Sequence, residues 1–354
     1  MNGFAKFVDL GGRAIGPGHP VALAVEIGTF FNRDIGIGLD YVDRSIDSGA
    51  ELLKSEILHD ADICLANTGL KHEYRHAGGQ TVEDYRALIE RKTVPLAEYE
   101  KLIRRCNDGG VPFIASVYDF TGIDFLRDQG GAGIKIARNN IDHIPLIRHA
   151  AKSGLPLIFD AGEVTLPELD RALDTAGDAG AAQIIVNHHP GSNPAPAENH
   201  NLSMIPFYRE RYGIPVGLSC HYRGEEIMYA AIGQGAALLE KGFDDDPDRD
   251  EQDIVSAAPL AELTVIIGRI KACSAAIGRA PVDPPENRDL SVRAGLVARE
   301  RIAAGEAITL KNTGFAFPPA GIPAAAFDKA EGLAATHDIA PGQVIDWNDL
   351  DAEG

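Results

Sequence analysis

Two lysines, each at the end of a short apolar run, are the side chains of this sequence best suited to binding an anion. Lys54 ends the run 52–54, and Lys135 ends the run 133–135. A lysine in such a position can neutralise a phosphate or carboxylate, form a Schiff base if burial lowers its pKa, or pair with an acid such as Glu56. Two such lysines favour an anion with more than one charge, such as a phosphorylated carboxylate.

Three histidines are the next candidates for chemistry. His221 lies in the motif GLSCHYRG and could bind a metal, act as an acid or base, or be structural. His188 and His189 end another apolar run, and because consecutive strand residues point to opposite sides, at most one should face the same site as His221. His189 could then approach His221. Two imidazoles alone form a weak metal site, so Glu26 or Asp253 would be needed to complete one.

Eight short apolar runs must position these side chains. They are residues 23–26, 52–54, 112–116, 133–135, 156–160, 183–188, 215–219 and 237–240. Helix-like segments separate the runs, which predicts an α/β fold, the (β/α)₈ TIM barrel, with the active site at the carboxyl ends of its strands. The residues predicted to surround that opening are Glu26, Lys54, Ser116, Lys135, Asp160, His188, His189, Ser219, His221, Glu240 and Lys241.

The segment 60–94 is longer than a usual connection between a strand and a helix, and it contains HEYRH. A long insertion at a barrel opening often serves as a lid or substrate loop. His72 and His76 are four residues apart and could share a helix face. Without a third ligand nearby, the sequence gives little support for a metal site there.

The composition excludes some classes of partner. The chain has 354 residues with 33 basic and 52 acidic side chains, for a formal net charge of −19. Such a surface repels nucleic acids and anionic membranes, and no apolar stretch reaches the roughly 20 residues of a membrane helix. The N-terminus shows no basic segment followed by an apolar core, so we expect a cytoplasmic protein without a secretory signal. The four cysteines form no CxxC pair, which predicts free thiols.

The chain divides near residues 278–288, GRAPVDPPENR, where three prolines exclude a continuous helix. We expect a barrel domain over residues 1–277, a linker over 278–290 and a small domain over 291–354. In the small domain, 298–308 and 335–345 share an Ile-x-x-Gly element at an offset of 37 residues. Each copy is typical of a strand, a glycine turn and another strand. A β-rich unit of this size buries little core, so we expect it to dock on another surface.

Six motifs along the chain carry a resemblance to one family. They are AVEIG, LLKSEI, IKIARNN, NPAPAENHNL, GLSCH and GAALLEKGF, in this order. At these residues the chain resembles the N-acetylneuraminate (sialic acid) synthase family over almost its whole length, and its tail resembles that family's antifreeze-like (β-clip) domain. The resemblance implies a TIM barrel followed by this small β-rich domain. It also implies a domain-swapped homodimer in which each small domain covers the partner's site.

The resemblance further implies a condensing activity. The family joins phosphoenolpyruvate to an N-acylated amino sugar aldehyde, forms a 2-keto acid and releases phosphate by C–O cleavage. A divalent metal, usually manganese or magnesium, activates the aldehyde. The positions that match the family's substrate contacts are Lys54, Ser116, Lys135, Ser219, Glu26 and Asp253. The lysines and serines would bind phosphoenolpyruvate, the two carboxylates would contact the sugar, and His221 would be a metal ligand.

Several positions depart from the family pattern. Gly242 stands in Glu-Lys-Gly-Phe, where the family has its second metal histidine. Glycine has no ligand atom, which puts a bound manganese or magnesium in doubt and makes His189 a candidate substitute. Cys220 replaces the aspartate before the first metal histidine. Phe317 occupies the slot of an arginine that would contact the acyl sugar across the dimer.

Two departures change the charge of the predicted anion site. Arg138 and Asp160 stand where the family has serines, and Ser192-Asn193-Pro194 replaces the family's Asn-Tyr-Pro. The guanidinium of Arg138 could bind phosphate in a bidentate way. The carboxylate of Asp160 would repel phosphate unless it is paired, for example with Arg138.

Three hypotheses remain open from the sequence. The first is a synthase of the sialic acid type with altered sugar specificity, acting on a small anionic substrate and a sugar. The second is a metal-independent aldolase or lyase that uses Lys54 or Lys135 as a Schiff base on a keto-acid sugar. The third is a homologue that binds such ligands without turning them over.

Overall fold

The computed structural model describes residues 3–76, 79–249, 251, 253–278 and 289–351. The chain forms two compact units, Met1–Gly278 and Arg279–Gly354. The strands of the first unit are β1 (Val8–Leu10), β2 (Arg13–Ile15), β3 (Ala22–Gly28), β4 (Leu52–Ile57), β5 (Lys71–His76), β6 (Gly79–Asp84), β7 (Phe113–Val117), β8 (Gly133–Ile136), β9 (Leu157–Asp160), β10 (Ile184–His188), β11 (Val216–Ser219) and β12 (Leu238–Gly242). Its α-helices are α1 (Ile35–Asp47), α2 (Tyr85–Lys92), α3 (Leu96–Asp108), α4 (Phe120–Asp128), α5 (Ile144–Lys152), α6 (Leu166–Asp178), α7 (Met204–Tyr212), α8 (Glu226–Gly233) and α9 (Leu263–Ile277).

Eight strands of the first unit close into a parallel barrel. Around the barrel their order is β3, β4, β7, β8, β9, β10, β11 and β12. Helices connect consecutive strands, as parallel pairing requires. The predicted (β/α)₈ barrel is therefore confirmed. Its ladders place Glu26 opposite Lys54 and Ser116 opposite Lys135, so these side chains lie at one level of the barrel.

The alternation of strand side chains separates an inner core from an outer core. The inner core, which also includes the antiparallel β1–β2 hairpin, consists of Val8, Leu10, Ile15, Ala22, Ala24, Leu52, Ile114, Ala132, Ile158, Ile185 and Leu238. The outer core packs the other strand faces against the helices. On α3, for example, Tyr99, Leu102 and Cys106 recur at helical spacing and are buried. The amino end of the barrel interior is therefore apolar, which confines polar groups to the carboxyl end.

The insertion 60–94 contains a β-hairpin followed by a helix. Strands β5 and β6 pair antiparallel, and α2 begins directly after β6. The prediction that His72 and His76 share a helix face is wrong, because both residues lie in strand β5. The ring of His72 stacks on that of Tyr74, with centroids 5.8 Å apart. The hairpin also contacts the short 3₁₀ helix Ile254–Ser256.

The second unit is built from short strands around its own core. They are β13 (Gly295–Ala298), β14 (Thr313–Ala316), β15 (Ala334–Ala335) and β16 (Leu350–Asp351), with helix α10 at Phe327–Ala330. The two copies of the repeat meet directly, because the backbone N–H groups of Ile302 and Ile339 each donate to the other's carbonyl, at 3.0 and 2.8 Å. The repeat glycines, Gly305 and Gly342, have φ of 84° and 80°, which favours glycine there.

The predicted linker 278–290 falls mostly on residues 279–288, which lie outside the described residues. Cys64, Cys106, Cys220 and Cys273 are free thiols. Within the part of the chain that the structure describes, no helix is long and apolar enough to span a membrane.

Candidate active site

A layer of polar side chains fills the carboxyl end of the barrel. Because strand side chains alternate, most of these polar residues follow an inner-core residue by two positions, as Glu26 follows Ala24 and Lys54 follows Leu52. The residues of this layer are Glu26, Lys54, Ser116, Lys135, Asp160, Asn187, Ser219 and Glu240. The structure thus brings together most of the residues that the sequence predicts for the opening.

Glu240 is the centre of this layer. Its Oε1 atom accepts hydrogen bonds from Lys135 and from the hydroxyl of Ser219, the latter at 3.1 Å. The same oxygen lies 3.6 Å from the Nζ atom of Lys54. The other oxygen accepts from the side-chain amide of Asn187 at 3.3 Å. A single buried carboxylate therefore connects both lysines.

Each lysine also has a carboxylate of its own. Lys54 donates to Glu26, and Lys135 forms an ion pair with Asp160 at 2.9 Å between Nζ and Oδ2. Both lysines are almost fully buried, at 2% and 3% exposure. Buried charges are tolerated when they are paired in this way.

These pairs keep both lysines protonated. Burial by itself would lower the pKa of Lys135, but the carboxylates of Asp160 and Glu240 raise it above its ordinary value. Lys54 follows the same pattern, because Glu240 and Glu26 outweigh the effect of burial and raise its pKa. Schiff-base chemistry needs a neutral amine with a lowered pKa. The geometry therefore suits both lysines to electrostatic binding of an anion.

The three inner carboxylates differ in protonation. Burial, with the neighbouring charge of Glu240, raises the pKa of Glu26 well above its ordinary value, although Lys54 opposes the shift. Burial would also raise the pKa of Glu240, but Lys135 and Lys54 lower it. Lys135 likewise lowers the pKa of Asp160 against the effect of burial. The lysines thus favour the ionised forms of Glu240 and Asp160, whereas Glu26, which Lys54 contacts, keeps its proton to a higher pH than an ordinary glutamate.

Three buried polar atoms of the layer have no hydrogen-bond partner among the described residues. They are the hydroxyl of Ser116 and the Oδ1 atoms of Asp160 and Asn187. An unsatisfied buried polar atom costs about 1–3 kcal/mol, so such atoms are rare in folded proteins. Ser116 lies on β7, between the strands of the two lysines, and Asp160 lies on β9, next to the strand of Lys135. This position makes the atoms candidates for hydrogen bonding to a substrate.

Two histidines lie beside this layer. The rings of His189 and His221 have centroids 4.5 Å apart. Burial, with the neighbouring His189, lowers the pKa of His221 to about 3. Burial also lowers the pKa of His189, so both imidazoles are neutral near neutral pH. The approach of His189 to His221 that the sequence suggests is thus present in the structure.

Two residues predicted for the opening point away from it. His188 donates through Nε2 to the backbone carbonyl of His200, outside the barrel. Lys241 donates to the backbone carbonyls of Tyr222 and Gly224. Both predictions were wrong because these residues follow Asn187 and Glu240 by one position, and alternation turns them outward.

Arg138 and Asp160 are also not paired with each other. Arg138 forms an ion pair with Glu163 on the exposed rim, while the cation next to Asp160 is Lys135. The pairing suggested from the sequence is therefore wrong. The reason is distance within the fold: Asp160 points into the barrel, whereas Arg138 is exposed in the short 3₁₀ helix Arg138–Asn140 beyond the end of β8.

The donor groups present do not fit the divalent metal that the resemblance implies. A Cβ added to Gly242 would lie 3.1 Å from Cζ of Phe30, so an aromatic ring occupies the space beside this position. His189 accepts a hydrogen bond at Nδ1 from the backbone N–H of Gly191. Its proton therefore lies on Nε2, so neither ring nitrogen has a free lone pair to bind a metal. Across the described residues, no three His, Cys, Asp or Glu side chains are grouped to hold a metal.

The rim contains contacts that the sequence did not reveal. The hydroxyl of Tyr118 donates to Glu56 at 2.9 Å, and Glu56 lies 3.8 Å from Lys54. Glu56 follows Lys54 by two residues, so alternation alone could have placed it on the same face. In β10, Asn187 follows the inner-core residue Ile185 by two positions, so alternation also places its side chain on the inner face.

Asp253 and Phe317, which the resemblance assigns to the sugar, are not members of the polar layer. Asp253 accepts a hydrogen bond from the side-chain amide of Asn193 at 2.6 Å, and its carboxylate interacts electrostatically with His221. Phe317 belongs to the second unit, where 73% of it is exposed. Its contact with a sugar in a partner's site stays a prediction.

Comparison with known proteins identifies relatives for both units. The NeuB family matches residues 41–281, and the SAF domain matches residues 293–351. An uncharacterized protein from Methanocaldococcus jannaschii is 28% identical over 97% of this chain and 98% of its own length. The N,N'-diacetyllegionaminic acid synthase of Campylobacter jejuni is 25% identical over 91% of this chain and 98% of its own. A crystal structure of the N-acetylneuraminic acid synthetase from Leptospira borgpetersenii superposes with a TM-score of 0.71 at 23% identity, over 81% of this chain and 95% of that one.

Proposed function

The chain belongs to the NeuB family, and from that premise we propose that it condenses phosphoenolpyruvate with an N-acyl amino sugar, or a related aldose, to a 2-keto-3-deoxy nonulosonic acid. The observation that carries the proposal is the pair of protonated lysines at the carboxyl end of the barrel. Lys54 and Lys135 lie on β4 and β8 and share Glu240. The name of the Campylobacter relative, a synthase of a nonulosonic acid, supports the same product class.

The reaction is a condensation in which a C–C bond forms and a C–O bond breaks. C3 of phosphoenolpyruvate attacks the aldehyde carbon, and the aldehyde oxygen becomes a hydroxyl by taking a proton. Water adds its oxygen to C2, and the bond between C2 and the phosphate oxygen breaks. The products are the 2-keto acid and inorganic phosphate. The enzyme must therefore bind a multiply charged anion and hold an aldehyde beside its C3 atom.

Each inner residue has a role in this reaction. Lys54 and Lys135 neutralise the phosphate and carboxylate of phosphoenolpyruvate, and the hydroxyls of Ser116 and Ser219 donate hydrogen bonds to its oxygens. Glu26 retains a proton at a pH where an ordinary carboxyl is ionised, which suits it to proton transfer at the reacting atoms.

Residues outside the inner layer complete the site. Asp253 and Phe317 serve the sugar, and Arg138 serves the phosphate. Asp253, oriented by Asn193, accepts hydrogen bonds from sugar hydroxyls. Arg138 contacts the phosphate after exchanging its partner Glu163, because guanidinium groups bind phosphate in a bidentate way. In the domain-swapped homodimer that the resemblance implies, Phe317 of the small domain contributes an apolar contact to the acyl group.

A Schiff-base aldolase is disfavoured by the same geometry. The carboxylates around Lys54 and Lys135 raise the pKa of both amines, and a protonated amine cannot attack a carbonyl. Borohydride treatment in the presence of a keto acid should therefore leave no covalent adduct on either lysine.

The proposal is tested by incubating the protein with phosphoenolpyruvate and a panel of N-acyl amino sugar aldehydes, with release of inorganic phosphate as the readout. With ¹⁸O in the bridging oxygen of phosphoenolpyruvate, C–O cleavage transfers the label to phosphate. We expect aldehyde-dependent release of labelled phosphate, and none from a Lys135→Met variant. Tight binding of phosphoenolpyruvate without release under any aldehyde would instead indicate a non-catalytic homologue.

A further inference from the structure

We propose that the Nε2–H group of His189 donates a hydrogen bond to the carbonyl oxygen of the acceptor aldehyde, and so supplies the electrophilic assistance that the incomplete metal site does not. This inference rests on the proposed condensation. It assigns a catalytic function to a residue that the sequence suggested only as a substitute metal ligand.

The position of His189 is created by its neighbours. Its ring lies beside that of His221, the residue that the resemblance implies as a metal ligand, with centroids 4.5 Å apart. Gly162 makes the room, because a Cβ on that residue would lie 2.5 Å from Nδ1 of His189. The ring is also within the electrostatic field of Asp160 and Lys135. His189 is therefore close enough to the anion site to interact electrostatically with its charged side chains.

The tautomer of His189 is fixed by the backbone. The N–H of Gly191 donates to Nδ1 at 2.8 Å, so Nδ1 must be unprotonated and the neutral ring carries its proton on Nε2. That Nε2 atom has no hydrogen-bond partner among the residues the structure describes, and it is not among the buried polar atoms sealed from solvent. A neutral imidazole with this tautomer is a hydrogen-bond donor whose proton is available to a bound substrate.

An electrophile is needed because the aldehyde oxygen gains negative charge as the C–C bond forms. Two features leave too few donor atoms for a metal. Gly242 has no ligand atom and lies against the ring of Phe30, and the Nε2 atom of His189 carries a proton. A neutral imidazole donor is a known way to polarise a carbonyl without transferring its proton. In the step, C3 of phosphoenolpyruvate bonds to the aldehyde carbon, the oxygen becomes an alkoxide stabilised by Nε2–H, and the alkoxide takes its proton from water. The hydroxide left by that water adds to C2 of phosphoenolpyruvate, and the bond between C2 and the phosphate oxygen then breaks.

The test combines a structural readout with kinetics. ¹⁵N NMR of the histidine-labelled protein reports the tautomer of His189, and we expect Nε2–H in the absence of any substrate. His189→Leu should lower kcat for phosphate release about 10²–10³-fold, the usual effect of losing one oxyanion donor, with little change in KM for phosphoenolpyruvate. His189→Gln, which keeps an N–H donor, should retain more activity than His189→Leu. His149→Leu, a surface histidine variant, should match the wild type.

Each contrary result has a distinct meaning. A His189 tautomer with the proton on Nδ1 overturns the inference whatever the activity. A wild type that releases phosphate together with an equally active His189→Leu variant overturns the role of His189 and leaves the condensation standing. Equal losses in the Gln and Leu variants also contradict hydrogen-bond donation. A wild type that releases no phosphate with any aldehyde contradicts the condensation itself, and the role of His189 with it.

Discussion

The ring of Phe30 lies against Gly242, so that a Cβ added to this glycine would stand 3.1 Å from Cζ and 3.3 Å from Cε2 of the ring. Gly242 ends β12, and Phe30 follows the end of β3, the neighbouring strand of the barrel. The loss of the family's second histidine is therefore accompanied by an aromatic side chain in the same space. A histidine placed at position 242 should therefore not form a metal site by itself, because the ring of Phe30 occupies the space beside it.

We predict that Gly242→His does not gain manganese affinity, because its imidazole collides with Phe30. Overpacking of this kind costs about 1–3 kcal/mol, so the variant should also unfold at lower denaturant concentration. The double variant Gly242→His/Phe30→Ala should bind manganese through the new histidine and His221. Isothermal titration calorimetry with manganese measures the affinity, and Phe30→Ala alone is the control. Tight manganese binding by Gly242→His alone would contradict this account.

Much of the frame could be predicted from the sequence, because it depends on local rules. Apolar runs that end in Lys54 or Lys135 predict barrel strands, and the 37-residue offset places Ile302 and Ile339 in equivalent positions, which the structure pairs directly. Alternation, applied strictly, would also have identified Glu56 and Asn187. His188 and Lys241 stand at strand ends but face outward, so position at a strand end alone predicts them wrongly.

The pairing inside the site could not be predicted, because it depends on distances across the barrel. Asp160 and Lys135 are on adjacent strands, whereas Arg138 points to the rim, and only the closed sheet decides which cation meets the carboxylate. The contact of Phe30 with Gly242 joins residues more than 200 positions apart. The hairpin at 71–84 was missed because HEYRH has no clear period, and pairing with β6 decides its conformation.

The ion pair between Lys135 and Asp160 makes the stability of the barrel sensitive to either residue. Lys135→Met should abolish anion binding, and it should also destabilise the fold by about 3–5 kcal/mol, because it leaves the buried carboxylate of Asp160 without its cation. Lys135→Met/Asp160→Asn should recover part of that loss while remaining unable to bind phosphate. Urea unfolding and calorimetry with phosphoenolpyruvate measure the two effects separately. Undiminished affinity for phosphoenolpyruvate in Lys135→Met would rule out this lysine as an anion ligand.

Asp160 also weakens the site for phosphate, because it competes for Lys135 and repels the anion. Asp160→Ser should therefore tighten the binding of phosphoenolpyruvate by at least about tenfold, since a unit charge about 4 Å away is worth up to about 4 kcal/mol near a protein surface. Asp174→Ser, which removes an exposed carboxylate from α6, is the matched control for net charge. Calorimetry at fixed ionic strength gives both dissociation constants. Equal affinities in the two variants would show that Asp160 does not face the anion.

The dependence of stability on pH that comes from Glu26 should have the opposite sign to that from Asp160 and Glu240. Burial, with Glu240, raises the pKa of Glu26, so its contribution is present below the unfolded pKa of about 4.3 and is lost as pH rises through the folded value. The pKa values of Asp160 and Glu240 are lowered, so their contributions are lost as pH falls. Glu26→Gln should remove the alkaline loss and leave the acid loss unchanged. Denaturant unfolding across this pH range measures both, and an unaltered alkaline limb in Glu26→Gln would refute the shift.

The buried pair between Lys92 and Glu251 should hold the sugar side of the site in place. Lys92 ends α2 in the insertion, and the two side chains are only 3% and 1% exposed, so removal of the ammonium from this carboxylate should cost about 3–5 kcal/mol. Lys92→Met/Glu251→Gln should recover most of that stability. Because Glu251 lies close in sequence to Asp253, Lys92→Met should raise KM for the sugar more than KM for phosphoenolpyruvate. Lys101→Met, which breaks an exposed pair with Glu98, is the control and should change neither constant. Equal increases of both KM values in Lys92→Met would indicate a general loss of folded protein and would contradict a local role.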